Sequence, residues 1–168
     1  IADSTTAEVF TPEDFTDEHR MIGETCREYI DNEVVPNLPA LEGHAWEVAR
    51  ELLKKAGDLG LLGANIPEAY GGMELDQTSG CIIAEMVGRG SGFGSTYGAQ
   101  TSIGLLPILY WGTEERRSTL IPKIISGELV SAYCLTESSS GSDALGAKCV
   151  AKLSDDGQHY ILNGEKLW

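Results

Sequence analysis

The hydrophobic pattern of this 168-residue chain changes period once, near Glu128. That single change restricts it to a helical part followed by a β part. In the first part, Thr11-Pro12-Glu13-Asp14 reads as an N-cap, a first-turn proline and first-turn acids. Phe15, Ile22, Cys26, Ile30 and Val34 then recur at helical spacings, and Pro36 and Pro39 are expected to stop that helix. A second helix is predicted from about Gly43 to Leu59, with Trp46, Ala49, Leu52, Leu53, Ala56 and Leu59 on one face and Gly60 as its C-cap. Ile66-Pro67-Glu68-Ala69-Tyr70-Gly71-Gly72 carries a turn signature. Asp76 caps a third helix bearing Ile82, Ile83, Met86 and Val87. A fourth, about Ser95 to Tyr110, is apolar on most sides and therefore central, and Pro107 predicts a kink or a break in it. Thr113 caps a fifth, Glu114 to Leu120, ending near Pro122, and Gly127 marks a turn.

Beyond this point the period moves towards two. Val130 to Leu135 is β-rich, Ala147 to Leu153 alternates in part, and His159 to Asn163 follows an Asp155-Asp156-Gly157 turn. Asn163-Gly164 signals a hairpin, with Lys166-Leu167-Trp168 opening a return strand. Three strands and the start of a fourth do not close a sheet core, so the β part reads as cut off and the helical part as complete. The expected class is α+β: an all-α N-terminal domain over residues 1–129 and the beginning of a β domain over 130–168.

Charge and cysteine usage exclude several functions. Twenty-six acids against twelve bases give a net charge of -14, which repels a polyanion and disfavours binding to nucleic acid. A basic patch for a membrane surface is disfavoured too. No apolar run reaches the roughly 18 residues of a membrane span. Ile1-Ala2-Asp3-Ser4-Thr5-Thr6 lacks the basic and apolar regions of a secretory signal. Cys26, Cys81, Cys134 and Cys149 are widely spaced, and His19, His44 and His159 are equally scattered, so no metal-ligand spacing is present. The cysteines are expected to be buried or half-buried thiols of a reducing compartment. The twelve acids in the first fifty positions read as a solvated helix face.

Among chemical motifs, the glycine run over residues 88 to 94 fails as a dinucleotide fingerprint. No register supplies the third glycine of G-x-G-x-x-G, and the run follows a helix rather than a strand. A closely packed interhelical connection is the better reading. The segment Tyr133-Cys134-Leu135-Thr136-Glu137-Ser138-Ser139-Ser140-Gly141-Ser142-Asp143 is different in kind. Its hydroxyls, acids and glycine suit a phosphate or an electron-rich ring edge. They equally suit a polar turn whose side chains bond their own backbone, and composition leaves both readings open.

This segment resembles the flavin motif of the acyl-CoA dehydrogenase family, [FY]-C-[LVI]-T-E-P-x-[AS]-G-S-D. Tyr160-Ile161-Leu162-Asn163-Gly164-Glu165-Lys166-Leu167-Trp168 resembles that family's second flavin segment, Y-x-L-N-G-x-K-x-W-I-[ST]-N. Upstream, Gly60-Leu61-Leu62-Gly63 leading to Pro67-Glu68-Ala69-Tyr70-Gly71-Gly72 is similar to its G-x-x-G-x-x-x-P-E-x-Y-G-G. Ser138 stands where the family usually has proline, which loosens the turn, and Ser139-Ser140-Gly141 resembles the form of very-long-chain members. Gly98 to Gly104 is similar to their pocket-helix sequence. The position matching Gly104 is a bulkier acid in medium-chain members, so Gly104 is expected to leave the acyl tunnel deep. The alternative is that Gly104 merely permits close helix packing.

The resemblance implies FAD-dependent α,β-dehydrogenation of acyl-CoA thioesters to trans-2-enoyl-CoA in fatty-acid β-oxidation, with electrons passing to an electron-transfer flavoprotein. It implies flavin contacts at Tyr133, Leu135, Thr136, Gly141, Ser142 and Trp168, and substrate contacts at Ser142, Gln100 and Gly104. The family's catalytic glutamate comes from a C-terminal helical domain that these residues do not contain. The 168-residue piece alone is therefore expected to be inactive and to hold FAD poorly. A homodimer or homotetramer is implied for the full-length protein, with bacterial cytoplasm favoured over the mitochondrial matrix as its location. An acyl-CoA oxidase, or a non-catalytic assembly module on the same fold, are the alternatives.

Overall fold

The first regular helix starts where a side chain can satisfy its orphan amides. In the computed structural model, which describes residues 9–168, Thr16 rather than Thr11 caps helix α1 (Asp17–Tyr29). Pro12 instead opens a single short 3-10 turn, Pro12–Asp14, and Phe15 precedes the helix. The expectation placed on Ile1 to Thr6 lies outside the described residues. Pro36 and Pro39 do not end the helical path. After α1 the chain passes through a wide π turn, Ile30–Val34, and a 3-10 turn, Val35–Asn37, into α2 (Leu38–Glu42). Each proline falls in the first turn of a new segment, where its missing N–H costs nothing.

Helix α3 (Trp46–Asp58) is followed by Gly60 at φ +76, the left-handed conformation of a helix exit. Its face is buried at Leu52, Leu53 and Ala56, but Trp46 is 67% exposed. Trp46 lies in the first turn, beyond the reach of the core, and stacks on His44 at 5.2 Å. Helix α4 (Gln77–Val87) is capped by Asp76 as expected, the carboxylate accepting from the Ser79 N–H at 2.8 Å. The glycine-rich run forms a 3-10 turn and then enters α5 (Gly92–Thr101). The anticipated fourth helix is broken, as Pro107 suggested: α6 (Leu106–Trp111) starts afresh with that proline in its first turn. Helix α7 (Glu114–Ile125), capped by Thr113, runs through Pro122 instead of ending near it. Ile121, Ile124 and Ile125 are buried, so packing holds that last turn despite the lost amide.

The core gathers Cys26, Ile30 and Val34 with Leu52, Leu53, Ile83, Phe93, Leu105 and Ile121, all at most 2% exposed. Two buried phenols donate to main-chain carbonyls there, Tyr29 to Leu52 at 2.7 Å and Tyr97 to Leu61 at 2.6 Å. Burial pushes the Cys26 thiol up to about 12. The cysteine expectation holds for Cys26 and for half-buried Cys149, but Cys81 and Cys134 are exposed.

Contacts divide the chain into two units, one ending at Ser131 and the other running from Ala132 to Trp168. The second unit carries an antiparallel pair, β1 (Val150–Leu153) and β2 (Tyr160–Asn163), in register from Val150 opposite Asn163 to Leu153 opposite Tyr160. Gly157, at φ +69, and the Ser154 hydroxyl, which donates to Asp156 Oδ1 at 2.6 Å, shape the turn between them. Val130 to Leu135 forms no strand, against expectation. The Asn163-Gly164 hairpin does not form either. The type I′ turn of an Asn-Gly hairpin needs positive φ at both central residues, and Asn163 does not have it. The chain leaves β2 and lies against the 135–137 segment instead.

Candidate functional site

The second unit brings together two stretches separated by some thirty residues of sequence. The Leu167 N–H donates to the Thr136 carbonyl at 2.9 Å, and Lys166 Nζ donates to the Leu135 carbonyl at 2.9 Å. Glu137 is the knot. Its carboxylate is buried and accepts from the Lys148 N–H at 2.6 Å, the Cys149 N–H at 3.0 Å and Lys166 Nζ at 2.8 Å. Lys166 and then the two amides hold this carboxyl at about 2, far below the usual glutamate value. The same pairing raises the Lys166 ammonium above its ordinary range. A group so firmly ionised cannot serve as a general base near neutral pH. Among the described residues no other carboxylate is buried.

Around this knot the predicted flavin residues are placed as follows. Glu137 and Ser140 exchange main-chain bonds of 2.9 and 3.1 Å, closing the turn, and the Ser140 hydroxyl donates to the Asp143 carbonyl at 2.6 Å. These bonds are the self-satisfied polar turn that composition left open. They leave Gly141 and Ser142 exposed, and a Cβ placed on Gly141 would meet nothing within 4 Å. Tyr133, Leu135 and Trp168 are also exposed, and Thr136 is half-buried. Among the described residues the Thr136 and Ser142 hydroxyls make no protein hydrogen bond. Sequence reasoning gave Glu137 and Lys166 no role, although both stand inside the quoted motifs. Their signal was an acid and a base each embedded among residues assigned to the cofactor.

The helical unit has a separate feature, a cavity of about 490 Å³ between α4 and α5. Gly98, where a Cβ would meet nothing within 4 Å, leaves it room, and Gly80, Ala84, Tyr97 and Thr101 line it further. Its polar wall groups are turned inward on the main chain. Thr101 Oγ1 donates to the Tyr97 carbonyl at 3.0 Å, Ser102 Oγ donates to the Gly98 carbonyl, and the Asn65 amide donates to Leu75 and Asp76. Leu61, Leu62, Ile83 and Val87 supply apolar wall, and Gln77, Cys81 and Tyr110 complete the lining.

Gln100 and Gly104, both predicted to meet substrate, do not line this cavity. Gln100 is 1% exposed. Its Nε2 donates at 2.8 Å to the carbonyls of Ile124 and Leu129, and its Oε1 accepts from the Ser131 N–H at 2.8 Å. The amide is thereby fully occupied. A Cβ on Gly104 would stand 2.6 Å from the Ser131 Cβ and 2.9 Å from the Ala99 carbonyl oxygen. Gly104 is thus packed closely against Ser131 and the end of α5.

The comparisons with known proteins bear on the whole chain. Residues 16–128 match the family model described as acyl-CoA dehydrogenase, N-terminal domain. A probable acyl-CoA dehydrogenase of Bacillus subtilis is 51% identical over 168 residues, covering 100% of this chain and 28% of that protein. The human mitochondrial very long-chain specific acyl-CoA dehydrogenase is 41% identical over 132 residues, 78% of this chain and 19% of that protein. A crystal structure of an acyl-CoA dehydrogenase complexed with FAD from Bacillus anthracis superimposes with a TM-score of 0.96 at 51% identity, covering 100% of this chain and 29% of that one. The chain thus spans less than a third of the length of these relatives. With motif order, helical architecture and these likenesses in agreement, the chain belongs to the acyl-CoA dehydrogenase family.

Proposed function

We propose that this chain is the N-terminal portion of an FAD-dependent acyl-CoA dehydrogenase acting on long-chain thioesters in β-oxidation. The observation that carries the reading is the joining of residues 133–137 to residues 166–167 by two main-chain acceptors and one ion pair. This sets exposed Tyr133, Leu135 and Trp168 on segments that also bear free hydroxyls at Thr136 and Ser142. Exposed apolar side chains beside unspent donors fit a group with a flat apolar ring and a polar edge. When bound, FAD supplies the acceptor for the β-hydrogen leaving as hydride.

In this reading Thr136 offers its hydroxyl to the ring edge, and the open backbone at Gly141 admits the pyrophosphate with Ser142 beside it. Trp168 excludes water from the ring. Ser142 also faces the CoA moiety. The cavity between α4 and α5, within the usual 300–1,000 Å³ range of ligand sites, suits a hydrocarbon chain because aliphatic side chains make much of its wall and the Thr101 and Ser102 hydroxyls are spent on main chain. Gln100 supports this wall from behind, by holding α5 to the end of α7. Long-chain preference then rests on the cavity and on the likeness to the very long-chain enzyme, no longer on Gly104.

We further read residues 1–129 as the all-α domain and 130–168 as the opening of the flavin-binding β domain. An electron-transfer flavoprotein is the proposed acceptor, a homodimer or homotetramer the proposed assembly, and bacterial cytoplasm the proposed location, the last from the Bacillus relative. The test is steady-state oxidation of butyryl-, octanoyl- and palmitoyl-CoA by the full-length protein with a redox dye, with peroxide measured in parallel. Palmitoyl-CoA turnover without peroxide is expected. Peroxide formation would move the protein to the oxidases, and no turnover with any thioester would remove the enzymatic reading.

A further inference from the structure

We propose that the Glu137–Lys166 ion pair is the positioning element that aligns the two flavin-facing segments, so that neither segment binds cofactor productively without it. The inference rests on the flavin reading above and deepens it. Neither residue is assigned a cofactor contact: their atoms point into the protein, at each other and at main chain. Lys166 Nζ reaches the Leu135 carbonyl at 2.9 Å and Glu137 at 2.8 Å. Glu137 in turn gathers the Lys148 and Cys149 amides, which open the approach to β1. One ion pair therefore fixes three stretches of backbone: 135–137, 148–149 and 166–167.

The arrangement is directional. The carboxylate is an acceptor for three donors, and the ammonium is a donor to two acceptors. Exchanging the two residues would restore opposite charges yet leave the Lys148 and Cys149 amides facing an ammonium that cannot accept. A plain surface pair, worth little, would tolerate that exchange. The Glu137 side chain is 6% exposed and the Lys166 side chain 29%, so this pair is sheltered from solvent.

The experiment uses the full-length protein, stripped of flavin and titrated with FAD, following flavin fluorescence and visible circular dichroism. Lys166→Met and Glu137→Gln are expected to weaken FAD binding by roughly tenfold or more, the usual consequence of losing a charge-assisted bond from a sheltered group. They should also diminish the dichroic signal of the flavin that does bind. Lys166→Arg, which keeps two donors, should bind FAD within about threefold of wild type. The reversed pair, Glu137→Lys with Lys166→Glu, should stay as weak as Lys166→Met. In the flavin-free protein, amide exchange at Lys148 and Cys149 should be slow in wild type and fast in Glu137→Gln. Wild-type affinity in Lys166→Met, or recovery in the reversed pair, overturns the inference while leaving the flavin reading intact. A wild-type protein that takes up no FAD overturns the flavin reading itself. Should Lys166→Met not fold, Lys166→Arg decides: affinity lost there, with the fold kept, overturns the inference.

Discussion

His19 Nε2 lies 3.0 Å from Asp76 Oδ2, so one imidazole fastens the start of α1 to the start of α4. Its other nitrogen, Nδ1, accepts from the Thr16 N–H at 3.2 Å, while Thr16 Oγ1 accepts from the His19 N–H. An accepting Nδ1 places the ring proton on Nε2, which donates to the carboxylate. The ring thus stands in for the glutamate of a capping box and reaches a second helix as well.

Asp76 makes this junction sensitive to acid. The Ser79 amide and hydroxyl, then His19, hold its carboxyl at about 2 against the ordinary 3.8. A carboxyl lowered on folding contributes stability above its unfolded value and loses it as pH falls towards the folded one. The melting temperature should therefore fall as pH drops from about 4 to 2, and Asp76→Asn should flatten part of that slope. Thermal melts across that range check it; an unchanged slope in the variant would contradict the assignment.

Gln100 should behave as a structural clamp. Gln100→Leu leaves the Ile124 and Leu129 carbonyls and the Ser131 amide without their partner. A loss of about 3 kcal/mol is expected, since each orphaned buried group costs ~1–3 kcal/mol before relaxation. Denaturant titration measures it, and a loss below ~1 kcal/mol would show that water replaces the amide freely.

Gly98 in α5 and Gly104 in the turn after it should separate stability from specificity. Gly104→Glu must push Ser131 aside and is expected to destabilise by about 1–3 kcal/mol. Gly98 lines the cavity, and a Cβ there would meet nothing within 4 Å. Gly98→Leu should keep the fold and shift the full-length protein's preference towards shorter acyl chains. The ratio of kcat/KM for palmitoyl- over octanoyl-CoA reads this out; a ratio unchanged in Gly98→Leu would place the acyl chain elsewhere.

Ser91 is held at φ +51, ψ −130, a conformation that costs a side chain ~1–3 kcal/mol. It hands the chain from the 3-10 turn into α5, its carbonyl accepting from the Gly94 N–H at 3.0 Å. Ser91→Gly should raise stability by about 1 kcal/mol, seen as a higher denaturant midpoint with an unchanged slope.

Alkylation should sort the thiols by burial. Cys81 and Cys134 are exposed and should label in the native protein, whereas Cys26, buried with its thiol held near 12, should label only on unfolding. Peptide mapping after a timed iodoacetamide exposure distinguishes them.

Helix existence was legible in the sequence wherever a cap and a period agreed, as at Asp76 and Thr113. It was misread where proline was taken only as a terminator. Pro36 and Pro39 sit in first turns, and Pro122 is carried by the buried isoleucines around it, a tertiary effect no local pattern displays. The residues of the proposed flavin face were legible as a motif, but what joins them was not. Lys166 meets Glu137 across 29 positions, and only the folded chain closes that distance. The hydrogen bonds of Gln100 were illegible for a related reason: its partners, Leu129 and Ser131, lie past the end of α7, where only the folded chain returns to α5.

The ribbon of β1 and β2 has a practical consequence for handling the polypeptide. Val150, Leu153, Tyr160, Ile161 and Leu162 are each exposed, because two strands alone cannot hide both of their faces. Among the described residues both outer edges of this ribbon are unpaired, the kind of edge on which strands of separate chains can meet. A preparation cut just after Ser131 sheds the ribbon while sparing the clamp at Gln100; a cut only a few residues earlier would also loosen the helices.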